Sequence, residues 1–142
     1  MDSDRREDDI GEHVPRRRDV PHYHGDEVRV LFVIAAVIIV IAQSTGADLP
    51  FSAFGAILAV MLLVIAAGIT NPAQPFIHWV NAFLAAGGTL LFGTSAFNYY
   101  QTGMSIFTVS FTYTEALALL SLVSLYFTTR TIRGIIQRPD LE

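Results

Sequence analysis

Glu115 is the side chain of this sequence that most demands a chemical account. It sits nine residues into an apolar run from Ile106 to Thr128, roughly 13 Å along a helix at ~1.5 Å per residue. A lone carboxylate in hydrocarbon costs at least ~2.5–3.5 kcal/mol, so it is expected to face the bundle interior or to be protonated. Thr108 and Thr112 share its helical face. One reading makes Glu115 a proton or cation relay. The other makes it a hydrogen-bonded group that fixes helix packing.

The preceding apolar run supplies its expected neighbour. His78, Asn81, Ala85, Gly88, Thr89, Gly93 and Ala96 recur at three- and four-residue spacing, a single narrow face of small and polar residues. Small residues admit a second helix closely, and Asn and Thr can hydrogen-bond across the contact. Thr89 and Glu115 fall at similar depth when counted from the run ends, which predicts Glu115 packed near Gly88 or Thr89. The candidate polar site is therefore Glu115, Thr112, Thr89, Asn81 and His78, with Ala85, Gly88 and Gly93 as packing positions. His78, close behind Pro75, is expected at headgroup level beside Trp79.

Other chemistries find no residues to carry them. There is no cysteine, so disulfides, thiol nucleophiles and Cys-ligated metals are excluded. A haem held by two histidines needs a second His in an apolar run, and a di-iron site needs paired Glu-x-x-His motifs; the sequence has neither. His22-Tyr23-His24, with His13 upstream, lacks the fixed geometry of a metal site and reads as a solvated linker. Asp48 belongs to the opposite end of its helices from His78, so no Ser-His-Asp arrangement assembles. No cofactor, no metal and no enzymatic activity are expected. The charged tail is mildly acidic overall, unlike the basic stripe that nucleic acid attracts.

The elements that must position these residues follow from the charge distribution. Of the 22 charged residues, 14 lie in positions 1–27 and five in 129–142, leaving only Arg29, Asp48 and Glu115 between. A water-soluble helix needs a polar face, and that stretch has too little charge to supply one. The expected fold is all-α: a polytopic membrane protein with four transmembrane helices in an antiparallel bundle. Spans are placed at about 28–43, 50–70, 75–97 and 106–128, with short connections. Asp48 is the expected N-cap of the second span, with Pro50 early in that helix. Uninterrupted apolar residues from Val30 to Ala42 reject the alternation of a β-barrel strand.

Residues 1–27 read as a disordered charged tail, and 129–142 as a short, partly helical one. An acidic leader of that length is unlike the basic start of a signal peptide. All nine basic residues are Arg before or at the start of the first span or after the fourth, which puts both tails in the cytoplasm and the protein in the cell membrane. Arg16-Arg17-Arg18 is read as a topology signal touching anionic lipid. The first span, built of Val, Ile, Leu, Ala and Phe, is the expected lipid-facing one. A hydroxyl row of Ser110, Thr114, Ser121 and Thr128 lies on the fourth span away from Glu115, where hydroxyls can bond back to their own helix.

Two roles fit: a non-catalytic accessory or scaffold component acting through helix packing, or a small oligomeric channel or transporter using Glu115. The partners expected are the lipid bilayer and either a second copy or a larger membrane complex.

Overall fold

A computed structural model describes residues 23–70 and 74–137. The expectations for the tail over 1–22 (His13, His22 and Arg16–Arg18 included) and for 138–142 lie outside the described residues. Four helices account for most of the remainder, and no strand occurs among the described residues. They are α1 (Gly25–Ser44), α2 (Ala53–Ile69), α3 (Pro75–Gln101) and α4 (Val109–Ile136). Two of them, α3 and α4, are long and apolar enough to cross a membrane, and α2 is a shorter apolar helix.

The ends of the helices have local causes. α1 and α3 both stop at a glycine with positive φ, Gly46 at 73° and Gly103 at 78°. Around Gly46 the amides of Gly46 and Ala47 bond back to Gln43 and Ala42, and around Gly103 those of Gly103 and Met104 bond back to Tyr100 and Tyr99. This is the Schellman arrangement, in which a left-handed residue returns spare amides to the last carbonyls. α3 opens with Pro75 in its first turn, where no amide donor is needed.

α2 starts later than the sequence suggests. Ser52, not Asp48, is its N-cap, accepting from the Gly55 amide at 3.2 Å. Asp48 is committed elsewhere: its N–H donates to Ser110 Oγ at 3.0 Å and its carbonyl accepts from Tyr99 Oη at 3.0 Å. The α1–α2 connection is thereby tied to α3 and α4 before α2 begins.

α4 packs against both α3 and α1, and α1 also packs against α2, while α2 and α3 scarcely touch. One apolar core gathers Val28, Phe32, Ala66, Ala67 and Ala85; the other gathers Ala35, Ile39, Ala56, Phe92 and Leu117. α1 thus contributes to both cores, and the expectation that it is the most peripheral helix is corrected. That place falls to α2, which buries only Ala56, Ala66 and Ala67. α1 has alanines at 35, 36 and 42 on its inner side that let neighbours approach, whereas α2 presents bulky Ile57, Met61, Ile65 and Ile69 outward.

Candidate functional site

Polar side chains are buried most densely where α1 and α3 begin and α2 and α4 finish, hereafter the His78 end. Asn81 is fully buried, and its Nδ2 donates to Thr70 Oγ1 at 2.9 Å, joining α3 to the end of α2. Thr70 donates in turn to the Ala66 carbonyl at 2.6 Å. Asn81 Oδ1 has no hydrogen-bond partner. His78, one turn earlier on the same face, is also buried, and the Tyr23 ring meets it edge-on with centroids 5.6 Å apart.

The segment leading into α1 closes this end. The His24 amide donates to Thr131 Oγ1 on α4 at 2.8 Å, and the His24 ring lies against Phe127 at 5.0 Å. Thr131 and Thr128 beside it are buried. Tyr23 folds back so far that a Cβ on Gly25 would collide with its ring. Burial, aided by the nearby Asp26 carboxylate, pushes the Tyr23 phenol above its ordinary range. Tyr23 and His24 are thus packed against α3 and α4, which corrects the solvated-linker expectation for these two residues; the sequence signal is aromatic rings directly before an apolar helix.

The side chains singled out from sequence do not form one site. His78 and Asn81 meet in the cluster just described. Thr89 lies far along α3 and donates to its own Ala85 carbonyl at 2.8 Å. Glu115 and Thr112 are exposed on the outer side of α4. Thr112 donates to the Ile106 carbonyl at 3.1 Å. The expected contact of Glu115 with Gly88 or Thr89 is therefore corrected.

Glu115 differs from that expectation in both depth and face. Gly88 lies against Ser121: a Cβ there would come within 2.6 Å of Ser121 Oγ. Tyr99 lies against Phe111, with rings 6.2 Å apart. That register sets Glu115 about level with Thr94 and Ser95, one helical turn from the Tyr99–Phe111 contact. The inward face of α4 is instead Phe111, Thr114, Leu117, Ser124, Thr128 and Thr131. Its hydroxyls are accepted inside because most donate to their own helix: Thr114 to Ser110, Ser124 to Leu120 and Thr128 to Ser124. Glu115 has no such internal option and turns outward. Of the expected packing positions, Ala85 is buried in a core and Gly88 makes the close approach, while Gly93 has open space where a side chain would stand.

Between α2 and α3 lies an apolar cleft of about 510 Å³, walled by Leu58, Leu62 and Phe51 on one side and Phe83, Gly87 and Phe92 on the other. Ser121 and Ser124 are the polar side chains that reach it. Among the described residues, no three His, Asp or Glu side chains gather as a metal-binding group. No known family matches the chain, and neither a curated protein nor a solved structure is similar to it.

Proposed function

We propose that the chain is an integral membrane protein whose four helices cross the bilayer as an antiparallel bundle, with both termini cytoplasmic. Its proposed role is that of a non-catalytic accessory or scaffold component that associates through helix faces. One observation carries this reading: the polarity of the molecule is inverted. Asn81, His78, Thr114, Ser124, Thr128 and Thr131 are buried, while Val30, Val37, Ile57, Met61, Ile65, Phe83 and Leu90 stand exposed. Water does not tolerate apolar surface of that extent on a monomer, and hydrocarbon does.

Aromatic placement supports the same reading. Trp79 and Tyr99 on α3 are 20 residues apart, ~30 Å of helix, which is the thickness of a hydrocarbon core bordered by aromatic belts. On that scale Glu115 sits only about 6 Å inside the Tyr99 boundary.

The test is fractionation of the expressed full-length chain. It should pellet with membranes, resist alkaline carbonate and need detergent for release. A chain that stays in the supernatant as a folded monomer would defeat the proposal. Mild-detergent purification with mass analysis then separates the roles: co-purifying proteins support an accessory component. A second reading, the oligomeric channel or transporter, rests on the outward Thr112–Glu115 face, which copies of the chain would turn toward a shared axis. Glu115→Gln decides between them. In the accessory role it leaves both stability and assembly unchanged, whereas in the channel role ion flux into vesicles is lost while the fold persists.

A further inference from the structure

α1 carries its charges only at its start, in Asp26, Glu27 and Arg29, and two apolar grooves begin there. The first, of about 560 Å³, runs between α1 and α2 along Val30, Val33, Ile34, Val64, Ala67 and Gly68, with Asp26 and Arg29 at its mouth. The second, of about 440 Å³, lies on the α4 side along Val30, Leu31 and Phe127, with Asp26 and Glu27 at its mouth. The grooves share Asp26 and Val30, so the exposed Val30 side chain is the ridge between them. Above the ridge, Arg29 Nη1 lies 3.9 Å from Asp26 Oδ1, and the two side chains are 48% and 82% exposed. So loose a contact leaves each group able to take a second partner.

We propose that the first two turns of α1 bind one diacyl phospholipid carrying a primary amine, a phosphatidylethanolamine. Its phosphate sits on Arg29, its ammonium on Asp26, and one acyl chain lies in each groove astride Val30. The site rests on the membrane reading above and adds to it a specific lipid. Charge complementarity selects the occupant. A guanidinium gives a phosphate two parallel hydrogen bonds, and the neighbouring carboxylate needs a donor of opposite charge. A phosphatidylglycerol headgroup brings no cation to Asp26 and Glu27. A phosphatidylcholine headgroup brings a cation that cannot donate a hydrogen bond. A second copy of the chain seated on this face would take Asp26, Glu27 and Arg29 out of solvent on both chains, a desolvation cost that a lipid headgroup at the membrane surface does not impose. Each groove has the volume of an ordinary site for an organic ligand, ~300–1,000 Å³.

The experiment is native mass spectrometry of the full-length chain in mild detergent. An equimolar mixture of phosphatidylethanolamine, phosphatidylcholine and phosphatidylglycerol with identical chains is offered. One phosphatidylethanolamine should be retained about tenfold over each of the others, the scale of one charged hydrogen bond. Arg29→Gln should abolish retention of all three, and Asp26→Asn should bring the ethanolamine lipid down to the choline lipid. Gly68→Leu places a side chain at the wall of the first groove, where a Cβ meets nothing within 4 Å, and it should lose the lipid with every charge intact. Gly87→Leu, on the α3 side of the molecule, should leave retention unchanged. Equal retention of the three lipids, insensitivity to both Arg29→Gln and Gly68→Leu, or a second chain copy in place of lipid would each overturn the site. A chain that requires detergent yet selects no lipid overturns this site alone; one that needs no detergent overturns the membrane reading.

Discussion

The seam between α3 and α4 and the seam between α2 and α3 join consecutive helices through short connections, yet one is closed and the other open. Small residues close the first. Gly88 receives Ser121, and hydroxyls that bond to their own backbone leave the α4 surface thin enough for α3 to approach. In the second, Phe and Leu from both helices hold the walls apart along the cleft. Among the described residues it is drawn together near its ends: by Asn81 and Thr70 at one, and at the other by the Phe51–Phe92 ring contact and the Tyr99–Asp48 hydrogen bond. Side-chain bulk decides which neighbours pack, and connection length does not.

Adjacent glycines on α3 give the sharpest way to break that comparison. Gly88→Leu drives a side chain into Ser121 and should cost about 1–3 kcal/mol, the range for overpacking. Gly87→Leu enters open space in the cleft and should be neutral or slightly stabilising, since glycine inside a helix is unfavourable by ~1 kcal/mol. Thermal unfolding in detergent reads both. Equal losses at the two positions would mean that the second seam is as closed as the first.

Removing the bonds at the ends of the open seam should have smaller effects. Asn81→Ala deletes the bond to Thr70 from a fully buried position and is expected to cost about 1–2 kcal/mol. Tyr99→Phe deletes only the exposed bond to the Asp48 carbonyl and should cost about 0.5–1 kcal/mol. The chain has no cysteine, so spin labels placed at Leu62→Cys and Phe83→Cys, on facing walls of the cleft, report on it without background. Their distance distribution should broaden in both variants. If it does not, the wall side chains alone hold the gap, and the end bonds serve only stability.

These seams also mark where the sequence stops being readable. The existence of four helices follows from apolar runs of helical length, and the Pro75 start follows from proline's missing amide. The start of α2 was hidden because Asp48 offers a capping carboxylate, while its backbone is taken by Tyr99 and Ser110, residues more than fifty positions away. The inward face of α4 was hidden for a related reason. Ser and Thr can satisfy themselves locally, so a hydroxyl row looks the same in sequence whether it meets lipid or protein. Glu115 cannot, and its type alone suggested an interior place that the register with α3 denies it. His78 and Asn81 were recognisable as a polar pair, but Tyr23 against the one and Thr70 bonded to the other come from two different stretches of chain.

The smallest expected effect concerns the His78 end, where the segment before α1 closes over α3. Burial, chiefly, and then the Asp26 carboxylate hold the Tyr23 phenol above its ordinary value of 10.0, with Arg29 opposing them in part. A raised value in the docked state means that docking favours the protonated phenol. Nothing is lost while both docked and undocked forms keep their proton, below pH 10. As pH rises through 10 toward the docked value, the undocked form ionises first and docking weakens. Tyr23→Phe keeps a ring against His78 without an ionisable group. Melting temperatures of the wild type and Tyr23→Phe should therefore coincide from neutral pH up to about 10 and separate above it, the wild type falling below the variant. Parallel curves across the whole range would show that Tyr23 is undocked in solution, and that the closure of this end rests on His24 and Thr131 alone.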